Sequence, residues 1–337
     1  MIGSGKLIVL AYPDTFVKPS DEWQCKLLPL VGLGTWKQIK AGHAAVVLIE
    51  NKTGKASYYD FGRYVTPSGY GRVRSAKTDA ELEIPFKAKL VGNGPLENLE
   101  QFLRWLEANP QKTHGSGRLV ASVCEEISFK KAQNYILSLQ NRGNVPYKAF
   151  VESGSNCARF VTETILAATD NKETIKGLNH NKRFTPSAIG NVKKAASSGM
   201  FEVLNGVIIK YTGNVLKENL SNYFERNKTK IIEDKILPSL PENAQKVTGV
   251  GSNAWFVIEE ENNLEKTYKI KRYNDLHELD YAGFFETEGE FDITADFQFT
   301  HNSHCNHCYV LQEGQKIKFS KIKTCPEFIE LQKVLSA

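Results

Sequence analysis

The chain has 337 residues, of which 41% are apolar and 24% are charged. This composition is typical of a globular protein and excludes a fibrous or largely disordered chain. The net charge of +5 is spread through the sequence, so no nucleic-acid partner is indicated. The length predicts two domains.

The first apolar run, residues 7–11, is too short for the core of a signal peptide and predicts a first strand instead. No window approaches the roughly 20 apolar residues that a membrane span needs, so no membrane partner is expected. We therefore expect a cytoplasmic protein, and signal-independent export stays open. In that compartment, the six cysteines are expected to be reduced thiols.

Two strands and several helices follow in chain order. The segment HAAVVLIE, the turn residues NKTG and the segment KASYYDFGRYV predict a β-hairpin. Residues 66–85 show no sustained period and predict a long loop. Apolar residues at helical spacing predict helices over 98–107, 128–140 and 154–168.

The helix over 154–168 carries a candidate nucleophile in its first turn. Ser155 or Asn156 is placed to cap this helix, which puts Cys157 at its N-terminus. The unpaired N–H groups and the dipole at a helix N-terminus favour a thiolate. The Cys157 N–H, with neighbouring N–H groups or the Asn156 side chain, could face a developing oxyanion. These features predict half of a nucleophilic site.

A candidate base, His43, begins the first strand of the hairpin. A tight turn at NKTG would place Ala45 opposite Asp60, so that Asp60 shares the face of His43 and can orient its ring, with Tyr58 beside it. A one-residue change in the turn would reverse that face. His114, in the glycine-rich segment THGSGR, is the second candidate for the base.

The order of these segments carries a family resemblance. GHAAVVLI, a second strand and then SNCARFV resemble the permuted papain-like arrangement of lecithin:retinol acyltransferase-like and bacterial NlpC-type proteins, over roughly residues 6–198. Asp60 stands where the acyltransferases usually have a second histidine, and the insert over 64–85 is long. AYPDTF, YYDFGRY and GRVRSAKTDAEL are also similar to an uncharacterised bacterial family. The positions that match the superfamily pattern are His43, Asp60, Asn156, Cys157, Phe160 and Val161.

The resemblance implies an α+β fold and nucleophilic acyl chemistry. Residues 1–198 would form a permuted papain-like domain, an antiparallel sheet packed by helices. Cys157 would attack an amide, ester or thioester carbonyl, and His43 would protonate the leaving group. The implied function is an amidase or peptidase that acts on a peptide or other amide substrate without a cofactor. Four arginines could clamp a substrate carboxylate, namely Arg63, Arg72, Arg74 and Arg118.

Two other functions stay open. One is a catalytically inactive papain-like module that recognises a protein partner. The other is an acyltransferase acting on lipid, which should show an amphipathic or strongly apolar membrane-facing segment that we do not find. The sequence does not predict the oligomeric state or the identity of the substrate.

The remaining residues, 199–337, predict a smaller α+β domain. Thr185 is expected to cap the last helix of the first domain, with Pro186 at its first position. Beyond Ser198, short alternating strands surround a helical stretch over 217–237.

A histidine and cysteine cluster, THNSHCNHCYV, lies in this second domain. The CxxC spacing suits zinc, and four ligands could come from His301 or His304 with Cys305, Cys308 and Cys325. The alternative is a polar turn followed by a strand with a buried cysteine. Both interpretations stay open at this point.

Overall fold

The structure is a computed structural model that describes residues 3–92, 94–151, 153–183, 185–225, 237–260 and 266–335. The chain divides into two compact units. The first comprises residues 1–62, 71–75 and 82–230, and the second comprises residues 63–70, 76–81 and 231–337. None of the described helices is long and apolar enough to cross a membrane.

The first unit combines an antiparallel sheet with helices, as predicted. Its elements are β1 (Gly5–Tyr12), β2 (Phe16–Val17), α1 (Trp23–Leu27), β3 (Ile39–Lys40), β4 (His43–Glu50), β5 (Ala56–Gly62), β6 (Tyr70–Arg74), α2 (Leu99–Glu107), α3 (Pro110–Thr113), β7 (Leu119–Ile127), α4 (Phe129–Asn141), β8 (Val145–Pro146), α5 (Cys157–Ala168), α6 (Lys172–Asn181), α7 (Ala188–Ala195), β9 (Met200–Leu204), β10 (Val207–Lys210) and α8 (Val215–Phe224). A short 3-10 helix, Leu28–Val31, follows α1 directly.

The main sheet has eight strands in the order β10-β9-β7-β1-β4-β5-β6-β8. β1 and β4 are its central strands, and alternate residues of each strand point to opposite faces. On one face, Leu7 and Val46 share a core with Phe160 of α5. On the other face, Ile8 shares a core with Phe102 of α2. Because both faces are covered, most residues of these strands are apolar and do not alternate with polar ones.

The helix caps agree with the prediction at α5 and differ at α7. Asn156 caps α5, since its side chain accepts a hydrogen bond from the Arg159 N–H. α7 begins at Ala188, where the Ser187 hydroxyl accepts from the Gly190 N–H. The prediction that Thr185 caps this helix was therefore wrong, because a second hydroxyl residue two positions later closes the first turn.

The predicted loop over 66–85 contains a strand. β6 pairs antiparallel with β5, and Arg74 lies opposite Asp60. The sequence did not predict this strand because arginines alternate along it, and arginine is seldom buried without a partner. Here both Arg72 and Arg74 are buried.

The first unit also extends past the predicted boundary at Ser198. β9 pairs with β7 and β10 pairs with β9, so this hairpin widens the main sheet. The helical stretch predicted over 217–237 is α8 in the same unit. Residues 226–236 of the predicted stretch lie outside the described residues.

The second unit is built mainly of strands, whereas we expected a mixed α+β domain. Its seven-stranded antiparallel sheet has the order β11-β12-β13-β14-β17-β16-β15. The Gln245 side chain of β11 bonds to the Phe297 carbonyl and the Phe299 N–H, so the first and last strands approach and nearly close the sheet into a barrel. The elements are β11 (Gln245–Val247), β12 (Ala254–Glu260), β13 (Thr267–Tyr273), β14 (Leu279–Thr287), β15 (Gln298–Phe299), β16 (His307–Gln312), β17 (Gln315–Thr324) and α9 (Pro326–Leu335).

Candidate active site

Cys157 is the first residue of α5 and lies at the edge of a cavity in the first unit. Its side chain is largely buried, with 9% of the residue exposed. Other cysteines of the chain lie in different surroundings. Burial raises the pKa of Cys124 and that of Cys308 to about 12, so these thiols stay protonated at neutral pH. Cys157 is thus distinguished from Cys124 and Cys308 by the helix N-terminus and by its access to the cavity.

His43, the first residue of β4, contacts both of its predicted partners. Its Nε2 atom lies 3.3 Å from Oδ2 of Asp60. Its side chain also hydrogen-bonds with the side chain of Cys157. The structure therefore brings together the three residues that the sequence singled out as nucleophile, base and orienting group.

Asp60 is positioned by the strand register that the hairpin turn predicted. Asp60 lies opposite Ala45, which confirms that register. The carboxylate is fully buried and accepts two hydrogen bonds from Arg74, at 3.0 Å from Nε and 2.6 Å from Nη2. The Tyr58 hydroxyl donates to the same carboxylate at 3.1 Å. Asp60 is thus held in one orientation before it meets the imidazole.

The buried charges set the protonation states of Asp60 and His43. Burial raises the pKa of Asp60, but the Arg74 charge and the hydrogen bonds from His43 and Arg74 outweigh it and hold that pKa well below its usual range. Burial lowers the pKa of His43, but hydrogen bonds and charges from Asp60 and Cys157 outweigh it and raise that pKa to about 9. The imidazole is therefore protonated at neutral pH. Its charge stabilises the fold fully below about pH 6.5, and this contribution is lost as the pH rises through about 9.

Packing fixes the imidazole on its other side. The Tyr12 ring stacks on His43, with ring centroids 6.3 Å apart, and Tyr12 lies opposite His43 in the sheet. Gly115 allows this close arrangement, because a Cβ atom there would lie 2.2 Å from the Tyr12 ring. His114, the second candidate for the base, ends α3 with a φ of 52° and does not line the cavity beside Cys157.

The Asn156 side chain serves the local structure. Its Oδ1 atom accepts from the Arg159 N–H at 2.8 Å, and its Nδ2 atom donates to the Lys148 carbonyl at 3.0 Å. We expected this amide to be able to face an oxyanion, but its nitrogen is turned to the chain that precedes α5. The N–H groups of Cys157 and Ala158, at the start of α5, remain as donors, since they have no carbonyl partner within the helix.

The four predicted arginines do not form a clamp. Arg74 binds Asp60, and Arg118 pairs with Asp14, Glu202 and Glu218. Neither these two nor Arg72 lines the cavity beside Cys157. Arg63 belongs to the second unit. The prediction overlooked acidic partners that are distant in sequence and satisfy Arg74 and Arg118 within the fold.

The cavity beside Cys157 has a volume of about 250 Å³. Two of the residues that line it were not among the predicted site residues. One is Cys25, whose thiol lies 3.1 Å from the Ser20 hydroxyl. The other is Tyr223 of α8, whose pKa is raised by burial and by its electrostatic interaction with Cys157. No motif marks either residue, because only the tertiary fold brings α1 and α8 to the nucleophile.

The histidine and cysteine cluster of the second unit does not form a metal centre in the described part of the chain. Among these residues, no group of three or more His, Cys, Asp or Glu side chains could hold a metal ion. Cys305 and Cys308 are buried in the apolar core, and the Cys308 thiol donates to the His304 carbonyl at 3.6 Å. The expected zinc site thus gains no support from the geometry, which matches the alternative of a polar turn with buried cysteines.

We expect Asp60→Asn to lower the pKa of His43 below its value of about 9. The substitution removes the charge of Asp60, so that Cys157 alone opposes burial, which favours the neutral imidazole. Titration of the imidazole by NMR measures this change. Asp14→Asn is the control, because Asp14 pairs with Lys40 and Arg118 and should leave the His43 pKa near 9. A His43 pKa that stays near 9 in Asp60→Asn would contradict the account.

We expect Arg74→Met to lower the free energy of unfolding by about 3–5 kcal/mol, because it leaves the buried Asp60 carboxylate without its main partner. Urea denaturation measures this loss. The control is Arg142→Met, since Arg142 is exposed at the end of α4 and its replacement should change stability by less than about 0.5 kcal/mol. Equal stabilities of the two variants would show that the Arg74 pair does not hold the site together.

Comparisons with known proteins agree with the two-unit organisation. Residues 7–174 match the family model described as type VI secretion system effector TseH-like, and residues 244–322 match the DUF6695 C-terminal domain. No curated protein matches the chain. The crystal structure of the type VI secretion system effector TseH is similar at 18% identity, over 61% of this chain and 96% of that chain, with a TM-score of 0.41. The chain thus carries a TseH-like type VI secretion effector domain, which contains Cys157, His43 and Asp60, followed by a DUF6695 C-terminal domain.

Proposed function

We propose that the first unit is a cysteine hydrolase that cleaves an amide bond through an acyl-enzyme on Cys157. The observation that carries this proposal is the contact of a protonated His43 with Cys157, held by Asp60 from the opposite side. A cysteine at a helix N-terminus beside a charged imidazole is the usual means of generating a reactive thiolate. The TseH-like match supports a hydrolase on independent grounds.

In the first half of the reaction, the Cys157 sulfur attacks the carbonyl carbon of the substrate and a C–S bond forms. The carbonyl oxygen becomes an oxyanion, which the N–H groups of the first turn of α5 can receive. His43 then gives its proton to the amide nitrogen, the C–N bond breaks and the amine leaves. Asp60 stays ionised throughout and keeps the ring in position, as its low pKa requires.

In the second half, the neutral His43 takes a proton from water, and the resulting hydroxide attacks the thioester carbon. The C–S bond breaks, the carboxylic acid product leaves, and Cys157 and His43 return to the thiolate and imidazolium forms. Only side-chain and backbone groups of this chain take part, so the proposed reaction uses no cofactor.

The TseH-like match also bears on where the reaction takes place. Effectors of the type VI system are secreted, so we infer that this chain acts in a cell into which it is delivered rather than in the cytoplasm of its producer. This inference replaces the expectation of simple cytoplasmic residence. The proposed substrate is an amide of the recipient cell.

The experiment is competitive labelling of the native chain with iodoacetamide at neutral pH, with each cysteine quantified by mass spectrometry. We expect Cys157 to react at least about tenfold faster than any other cysteine, because the imidazolium favours its thiolate. His43→Ala should remove most of this advantage. His180→Ala is the matched control, since His180 is exposed on α6 and should have no effect.

A different pattern would count against the enzyme. If Cys157 were no faster than the buried cysteines, or if His43→Ala left its rate unchanged, the pair would not generate a nucleophile. The chain would then be better explained as a papain-like module that binds a partner without turnover.

A further inference from the structure

We propose that the cavity beside Cys157 is a subsite for an apolar group of the substrate, an aliphatic chain or aromatic ring of about six carbons next to the scissile carbonyl. This inference rests on the proposed hydrolase function and names the class of amide that it takes. A charged or strongly polar group at the same position of the substrate would be excluded.

The lining of the cavity is the first argument. Residues from several separate segments supply apolar side chains to it: Val17, Leu28, Leu33, Ile39, Phe150 and Pro186. Cys157 lies in the same wall, so a group bound in the cavity is adjacent to the reacting sulfur. The volume of about 250 Å³ exceeds the roughly 150 Å³ of an apolar cavity that can hold benzene.

The distribution of charge is the second argument. Among the described residues that line the cavity, Lys18 is the only one with a charged side chain apart from the reacting thiol, and Lys18 is exposed. A carboxylate placed deep in the cavity would lose its hydration with no arginine to replace it. The Asn156 amide bonds to backbone groups of its own chain. Burial of apolar surface is therefore the interaction that the cavity offers.

The cavity wall is also preformed. The Glu22 carboxylate accepts hydrogen bonds from the N–H groups of Phe150 and Val151, each at 3.2 Å, and from the N–H of Ala149. Burial raises the pKa of Glu22, but the Ser20 hydroxyl and these N–H groups outweigh it and lower that pKa, so the carboxylate stays charged at neutral pH. This contact ties the segment that carries Phe150 to the start of α1, so the substrate need not order the wall on binding.

The experiment compares iodoacetamide with N-hexyl- and N-benzyl-iodoacetamide as probes of Cys157 in the full chain. Each rate constant is divided by that of the same reagent with glutathione, which removes differences in intrinsic reactivity. We expect the normalised rate to rise about tenfold or more from iodoacetamide to the hexyl reagent, because the alkyl group leaves water as the sulfur reacts.

Two leucines of one 3-10 helix provide matched variants. Leu28 lines the cavity, whereas Leu30 is 69% exposed and does not. Leu28→Asp should abolish the gain from the hexyl group, and Leu30→Asp should retain it. A second measurement needs no variant and serves if Leu28→Asp does not fold. We expect N-hexylacetamide, but not N-methylacetamide, to protect Cys157 of the native chain from alkylation.

The outcomes separate this inference from the function on which it rests. If the alkylation rate of Cys157 depends on His43 but does not rise with the alkyl group, the subsite proposal is wrong and the hydrolase proposal is retained. A hexyl gain that survives in folded Leu28→Asp overturns the subsite as well. If the alkylation rate of Cys157 does not depend on His43, the proposed function is wrong, and the substrate class that rests on it is wrong as well.

Discussion

The ion pair between Arg74 and Asp60 is the interaction on which the candidate site depends. Both side chains are buried, and each would be costly to the fold without the other. The pair joins β6 to β5, and its Asp60 carboxylate contacts the imidazole of His43 and helps to raise the pKa of that ring. Arg74, Asp60 and His43 together carry one net positive charge in a buried region. A thiolate on Cys157, the form that the proposed mechanism uses, would carry the opposite charge.

Two different environments meet at Cys157. On the sheet side lie the charged side chains of His43, Asp60 and Arg74, which are buried beneath Tyr12 and the surrounding strands. On the other side lies an apolar cavity formed by the segments around α1, Phe150 and α8. Electrostatic interactions are stronger where water is excluded, so an apolar group in the cavity would also strengthen the contact between thiolate and imidazolium. In the proposed hydrolase, substrate binding and activation of the thiol would thus be coupled through Cys157.

The sequence predicted the parts of the site that depend on local rules. The NKTG turn sets a period-2 register, and that register brings Asp60 to the face of His43. The cap at Asn156 likewise places Cys157 at the start of α5. Parts that depend on tertiary contacts could not be predicted. Arg74 looked like a loop residue, because only its buried partner explains an arginine inside a strand. Tyr223 and Cys25 reach the cavity from segments that carry no motif, and the hairpin of β9 and β10 joins the first sheet through pairing that residue patterns do not encode.

The most direct test of the central claim is the ultraviolet absorbance of the thiolate at neutral pH, compared between the native chain and Cys157→Ser. The account predicts the loss of one thiolate equivalent in Cys157→Ser and no loss in Cys124→Ser, because burial keeps that second thiol protonated. In the Asp60→Asn background, the difference caused by Cys157→Ser should shrink, since the pKa of His43 would be lower. Equal absorbance of the native chain and Cys157→Ser would mean that no ion pair exists at the site, and the account would be contradicted.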